Sequence, residues 1–397
     1  MTPSPLGLMA ATMALLAISA PAGTSISSKA PTLTPPAEES AFDKIWSLAT
    51  IYQSKTNPYI QKIAISGRYQ GQYALLDSDE GDFDDWENRR FRIGLNGQIF
   101  QDFEFKAEML GDLNPGGDFY TGLTEVFLSW KPDDAFNLTI GKQKPRFSLD
   151  WSTSSREILT FERNILINNF GIDYETGISI SGKNGNFAYF AGAFNNDVGD
   201  PGGESEFGEL GGGFSYVASA SYDLKDALGI EKAVLRGDFI HSEHDAEDEL
   251  LGKFDNGIAA SLALKQDRLG LTAETIYGQG DKGDVWGFYL TPTFDISKKF
   301  QLVARYTYAQ SGDDALRLQS RYERKASGIS DSGNGETYHA GYLGANYYLY
   351  GHKLKLMGGV EYADMDGPKG FNGWTGLVGV RVFWGPETKG VQPSTGD

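Results

Sequence analysis

Charged side chains recur at every second position in several short stretches of this chain. Arg68, Arg92, Lys106 with Glu104 and Glu108, Arg236 with Asp238, Arg305, Lys355 and Arg381 stand between apolar or glycine neighbours, and Arg90 stands between Arg89 and Phe91. Such alternation puts the charges on one face of a strand and the apolar residues on the other. The chemistry open to that face is ion binding and ion solvation, not bond making. Arg presents a planar fork of donors and Lys a point charge, and both suit the oxygens of phosphate or carboxylate. Signatures of catalysis are missing: there is no G-x-S-x-G, no H-E-x-x-H and no P-loop. His241 and His244 form the one close histidine pair, where a strand meets an acidic loop, and read as loop residues and not as metal ligands. His339 reads as inward and mid-strand, with no serine partner. No metal, cofactor or catalytic group is expected, and the chain does not read as an enzyme.

A face of this kind needs strands to carry it. The stretch Arg89–Met109 reads RRFRIGLNGQIFQDFEFKAEM, with Phe91, Ile93, Leu95, Ile99, Phe103, Phe105, Ala107 and Met109 on one parity. A three-residue turn, Gln101-Asp102-Phe103, with Ile99 opposite Phe105, would keep both apolar runs on one side. Alternation recurs from Lys62 to Trp384 and gives about 16 strands, including Phe187–Phe194, whose two faces are both apolar. The connectors sort by parity. Short ones include Lys131–Ala135, Lys183–Asn186, Gln266–Arg268 and Tyr350–His352. Between them fall longer ones, including Asp77–Glu87, Leu113–Tyr120, Lys144–Asp173, Asn195–Leu210, Ser242–Asp255 and Ser311–Gly335. The expected fold is all-β: an antiparallel transmembrane β-barrel with short periplasmic turns and long outer loops.

The placement of charge decides between lipid and a protein core outside the strands. A lipid-facing Arg or Lys at mid-bilayer costs about 2–4 kcal/mol, and no assigned strand carries one on its apolar parity. The opposite parity holds Arg68, Arg90, Arg92, Lys106, Arg236, Lys265, Arg305, Lys355 and Arg381 against Glu104, Glu108, Glu125, Asp238, Glu274 and Glu361. A barrel of that size is expected to hold water, which would solvate these groups. The basic excess leans toward anions, because rings of Arg and Lys select for them.

Composition and termini agree. The 397 residues contain no cysteine and carry a net charge of -18, which argues against disulfide frameworks and nucleic-acid binding. Residues 1–22 read as a signal peptide, built on the apolar run Leu6–Ile18. Residues 23–60 read as a linker with a possible short helix in Ala41–Gln53, residues 61–385 as the barrel, and 386–397 as a tail. The location implied is the cell outer membrane. The acidic excess lies in Asp77–Glu87, Asp197–Glu209 and Glu243–Glu249, which read as a solvated outer rim or as carboxylates bridged by divalent cations to lipopolysaccharide.

The segment Gly141–Arg163, GKQKPRFSLDWSTSSREILTFER, together with the RRFR of Arg89–Arg92, resembles the phosphate-selective porin O and P family. The matching pieces are Gly141–Ser148, with Gln143 one place later than in the family, Thr153-Ser154-Ser155-Arg156 and Phe161-Glu162-Arg163. The resemblance implies a homotrimeric channel of about 16 strands with an inward Arg ladder and a third loop at the constriction. Carried over residue by residue, it makes Arg90, Arg92, Lys144, Arg146 and Arg156 candidates for anion contact, with Arg68, Lys106, Arg236, Arg305 and Arg381 lining the pore. Phosphate and similar small anions would be the solutes, and outer-membrane lipid the surroundings. A non-selective or cation-tolerant general porin is the alternative; a barrel enzyme or an adhesin fits less well. Phe383-Trp384 is followed by thirteen further residues, GPETKGVQPSTGD, where such barrels usually end on an aromatic residue.

Overall fold

The computed structural model describes residues 40–197, 206–210, 212–243, 254–280, 283–312, 315–318, 322–323, 335–368 and 370–385. The expected signal peptide, the linker up to residue 39, the tail and His244 lie outside the described residues, as do parts of the acidic loops. The chain divides into two compact units, Met1–Lys44 and Ile45–Asp397. Of the first, residues 40–44 are described. Helix α1 (Ala41–Ser47) begins there. Its start is a capping box, since Ser40 N–H donates to Asp43 Oδ2 at 3.0 Å and Asp43 N–H donates to Ser40 Oγ at 3.1 Å.

The second unit is a sheet of 17 antiparallel strands. They are β1 (Thr50–Gln53), β2 (Ile60–Ser78), β3 (Gly81–Ile99), β4 (Phe103–Gly111), β5 (Gly122–Trp130), β6 (Asn137–Gln143), β7 (Glu175–Asn184), β8 (Phe187–Asn195) and β9 (Phe214–Asp223). There follow β10 (Lys232–Ser242), β11 (Asn256–Gln266), β12 (Leu269–Gln279), β13 (Val285–Ser297), β14 (Phe300–Ser311), β15 (Thr337–Tyr350), β16 (Leu354–Asp366) and β17 (Phe371–Trp384). Each strand from β2 onward pairs with the next, and β17 pairs back onto β2, so β2–β17 close on themselves as a 16-stranded barrel. Closure leaves no unpaired ladder facing lipid. β1 is an additional strand, paired to the start of β2 below the end of β17.

Alternation sorts the faces as expected. Leu95, Leu128, Ile140, Ile178, Leu343 and Val378 are exposed on the outside, while Arg68, Asn96, Arg236, Arg305 and Arg381 are buried inside. Three local readings change. The Asp77–Glu87 segment is not a loop: β2 and β3 pair all the way to Ser78 and Gly81, leaving Asp79 and Glu80 as the turn. The acids expected in a loop instead lie on the two faces of a hairpin. Tyr73 Oη donates to Asp84 Oδ2 at 2.6 Å on its outer side. The β3–β4 turn is Phe100–Asp102, so Ile99 faces Phe103 and not Phe105. Its length is still odd, which preserves the parity. His339 faces outward, not inward, in an aromatic belt with Tyr308 (ring centroids 5.0 Å apart) and with Tyr306, whose Oη is 2.9 Å from Nδ1.

A register slip interrupts the β2–β3 ladder. Gln70 faces Arg90, but Gly71 faces Asn88, so Arg89 is the extra residue of a β-bulge. Beyond it the parity of β3 inverts: Glu87 is buried and Trp86 is exposed.

The seam is fastened by Trp46. Its Nε1 donates to Phe383 O at 2.5 Å, and its ring meets Tyr350 edge-on at 5.2 Å. Trp46→Ala removes one hydrogen bond and one aromatic contact and should cost about 2 kcal/mol. The expected result is a lower midpoint for the heat-induced shift of the folded band in detergent gels; an unchanged midpoint would show that the seam closes without it.

Candidate functional site

A third loop that merely lay over the rim would leave a wide wet lumen. Residues 144–174, loop 3, instead pass through it. The loop carries two short helices, α2 (Leu149–Ser152) and α3 (Ile165–Phe170). Its backbone cannot complete a ladder, so its carbonyls need donors from the wall. Gln70 Nε2 donates to Ser155 O at 2.9 Å, Lys355 Nζ to Ile158 O at 2.7 Å, Asn346 Nδ2 to Leu159 O at 3.1 Å and Arg305 Nη1 to Glu162 O at 2.8 Å. Ser219 and Arg236 both donate to Arg146 O, at 2.6 and 2.9 Å. At the start of α2 the free amides of Leu149 and Asp150 donate to the Glu274 carboxylate at 2.5 and 3.2 Å.

The strongest fastening is a charge pair. Arg89 grips Glu162 with Nε on Oε1 at 2.6 Å and Nη2 on Oε2 at 2.9 Å, a two-point contact. Arg90 Nη2 adds a third contact at 3.8 Å. Burial pushes the Glu162 carboxyl upward, but the charge and hydrogen bonds of Arg89, with Arg90 and Arg381 behind, hold it well below the usual carboxylate range.

The second half of the loop is apolar. Ile165, Leu166, Ile167, Phe170 and Ile172 pack with Phe147, Phe190, Phe194, Val217, Ile240, Phe254 and Ile276 in one dry cluster inside the barrel. Phe170 stacks on Phe254 at 4.6 Å between ring centroids. Its seat is hollowed by paired glycines: a Cβ on Gly278 would lie 2.6 Å from Phe170 Cζ, and one on Gly257 3.0 Å from its Cε1. This cluster explains why β8 is apolar on both faces.

The expected site residues are therefore mostly engaged, and the lumen is not the open aqueous space expected from strand number. Arg90 Nη1 donates to Gln70 Oε1 at 2.8 Å. Arg92 donates to Tyr174 Oη at 2.8 Å and meets Glu108 at 3.4 Å. Lys144 lies 4.4 Å above the Trp151 ring and 3.3 Å from Thr153 O. Burial and the nearby Arg163 charge push its ammonium well below its ordinary value. Arg146 lies over Phe190 at 5.2 Å, its value lowered to about 10 by burial and by Arg236. Arg156 pairs with Glu157 at 3.0 Å and lies over Phe383. Among the lining residues, Arg68 donates to Ser155 Oγ at 2.5 Å, Lys106 bridges Glu108 and Glu125, Arg236 binds Asp238, Arg305 binds Glu361 at 3.0 Å and Arg381 binds Gln72.

The structure gathers some of these and separates others. Arg68 and Arg92 face each other directly across β2 and β3, with Lys144 in the same electrostatic neighbourhood. Arg90 and Arg381 cluster around Glu162. Arg146 stands apart, with Arg236 on β10. Sequence reasoning missed Arg89, which sits on the lipid parity of β3 unless the bulge is known; the Arg89-Arg90 doublet was its only signal. It also missed Gln70, Gln72 and Asn346, whose roles depend on a loop far away in sequence.

Between loop 3 and strands β10–β14 remains a chamber of about 210 Å³, lined by Asp150, Glu157, Lys232, Thr272, Thr291 and Arg305 among others. His352, in the β15–β16 turn at its edge, is pushed down to about 3 by burial and the charge of Lys355, and so is neutral at ordinary pH.

Residues 63–236 match the family described as phosphate-selective porin O and P, so the resemblance carried by the basic run and the third loop holds. Among solved structures, the chain is similar to OprB of Pseudomonas putida in its high-pH structure, with a TM-score of 0.58 and 13% identity over 81% of this chain and 94% of that one. It is similar to OmpF of Salmonella typhi in complex with daunomycin, with a TM-score of 0.57 and 10% identity over 84% and 100%. The outer membrane channel DcaP of Acinetobacter baumannii gives 0.50 and 15% over 83% and 99%. At such identities the shared property is the outer-membrane barrel fold. No curated protein matches the sequence.

Glu162→Gln leaves Arg89 and Arg90, both part-buried, without their carboxylate. The expected cost is about 3–5 kcal/mol, read as a lower thermal midpoint and as larger fluctuations in single-channel current. Because the folded-state value of Glu162 is depressed, its contribution is complete above the ordinary carboxylate range and is lost only as pH falls below it. Current fluctuations in the unaltered protein should therefore stay level from about pH 8 to about pH 5.

Proposed function

With residues 63–236 matching the phosphate-selective porin O and P family, we propose that this barrel is a passive outer-membrane channel for small hydrophilic solutes that favours anions such as phosphate. One observation carries the anion preference. Arg68 and Arg92 are cross-strand partners, both buried, and like charges directly opposite repel. Arg68 makes no ion pair among the described residues, and the Nε atoms of both side chains lack hydrogen-bond partners there. Lys144, nearby, makes no ion pair among the described residues either. An anion passing this group would relieve the repulsion and, at the same time, favour the protonated form of Lys144. Binding there must stay weak enough for release, since conduction needs exit as well as entry.

In this reading Arg90, Arg92, Lys144, Arg146 and Arg156 remain the residues to test for anion contact, with Arg68 added beside them. Arg90, Arg146 and Arg156 would act mainly by holding loop 3. Export to the outer membrane, read from residues 1–22, contact with lipopolysaccharide, read from the acidic segments, and assembly as a homotrimer, implied by the family resemblance, belong to the same proposal. A general porin remains the second reading, favoured by the way Lys106 is tied to Glu108 and Glu125, which leaves less net charge at the wall.

Reversal potentials in planar bilayers under a salt gradient test the preference. The unaltered channel should favour chloride over potassium, and phosphate should reduce the chloride current. Arg68→Gln and Lys144→Gln should each move the reversal potential toward zero and weaken the phosphate effect about tenfold, as for a charge-assisted bond of about 1.4 kcal/mol. A cation-favouring potential in the unaltered channel would overturn the anion reading.

A further inference from the structure

On the side of the lumen away from Arg68 and Arg92, the chamber under loop 3 has a different chemistry. Most charges on its lining are already matched. Asp150 is held by Arg163 and by Asn164, whose N–H and Nδ2 donate at 2.8 and 2.7 Å. Glu157 pairs with Arg156, and Arg305 with Glu361. Lys232 is different. It is the first residue of β10, on the same inward parity as Arg236 and Asp238, and lines the chamber. Among the described residues its side chain makes no hydrogen bond and no ion pair, and the carboxylates of Glu157 and Asp223 act on it only from a distance. Thr272 and Thr291 line the same space and are direct cross-strand partners, so their side chains stand side by side. Neither hydroxyl has a hydrogen-bond partner among the described residues. Arg305, whose Nη atoms are committed to Thr160, Glu162 O and Glu361, adds positive charge behind the lining.

We infer that this chamber binds small hydroxylated anions: a carboxylate or phosphate head against Lys232, with the charge of Arg305 behind it, and a polyhydroxy body against Thr272 and Thr291. The volume of about 210 Å³ leaves room for a compact organic solute. A bare inorganic anion would use the ammonium and leave the paired hydroxyls to water. A neutral sugar would use the hydroxyls and leave the uncommitted charge unmatched. A solute with both groups satisfies both, and a site built to hydrogen-bond a hydroxyl discriminates strongly against an analogue that lacks it. In that channel reading, occupancy beside loop 3 slows other ions. The inference rests on the channel reading of the preceding subsection and deepens it by naming a solute class.

The test is block of chloride current through single channels of the full-length protein in planar bilayers. Four probes are compared: gluconate, glucose 6-phosphate, hexanoate, which has the carboxylate without the hydroxyls, and glucose, which has hydroxyls without charge. Gluconate and glucose 6-phosphate should block at concentrations about tenfold below hexanoate and glucose. Lys232→Gln should weaken the gluconate block about tenfold, and Lys232→Arg should restore it. Thr272→Val with Thr291→Val should weaken the gluconate block while leaving the hexanoate block as it was. Equal block by gluconate and hexanoate, or block indifferent to Lys232→Gln, would overturn this inference while leaving the channel reading intact. No conductance at all would overturn both.

Discussion

A loop that crosses the inside of a barrel must satisfy its own backbone there. It has no neighbouring strand to pair with, and each carbonyl buried without a partner costs as much as a lost hydrogen bond. Loop 3 meets this demand through the wall. Gln70, Arg305, Asn346 and Lys355 donate to the carbonyls of Ser155, Glu162, Leu159 and Ile158, and Glu274 accepts from the first amides of α2. Wall bases that look like a ladder for a mobile anion are, in large part, donors to a fixed strand of backbone. The Arg89–Glu162 pair then sets where the loop turns, because two parallel bonds allow only one geometry.

That arrangement divides the lumen. The apolar half of the loop, from Ile165 to Ile172, closes one region as a dry core against β8 and β10–β14. Close packing of this kind has no room for water or ions. The other half is polar, and there the loop presents two unlike surfaces. Toward β2–β4 stand Arg68, Arg92 and Lys144, with more positive charge than the nearby carboxylates match. Toward β10–β14 lies the chamber with the Thr272–Thr291 pair and the Lys232 ammonium, whose side chain makes no ion pair among the described residues. A barrel need not have one chemistry around its circumference, since each strand contributes its inward residues independently.

Much of the barrel could be read from the chain. Period-two alternation, connectors that differ in length by side and the absence of charge on one parity are all local properties. They fix strand number and the direction each side chain points. Expectation and structure part where one residue changes the count. The bulge at Arg89 inverts β3 and hides the residue that grips Glu162. A run of acids at Asp77–Glu87 has loop composition, yet strands β2 and β3 continue through it, paired with each other to Ser78 and Gly81, with β17 pairing along β2 as far as Ser78. His339 lies outside because its neighbours Tyr338 and Tyr342 are buried residues of β15, one place off the expected parity.

The sequence by itself determined that this chain makes a closed membrane barrel with bases on its inner face, because lipid tolerates one parity only and that constraint is written into every strand. Only the tertiary structure decided what those bases face. Arg68 meets Ser155, Lys355 meets Ile158 and Arg305 meets Thr160 across separations of 87, 197 and 145 residues. No local pattern encodes such pairings. Parity tells a side chain which way to point, but the occupant of the space it points into comes from another part of the chain, and whether a cation is free or bound depends on that occupant.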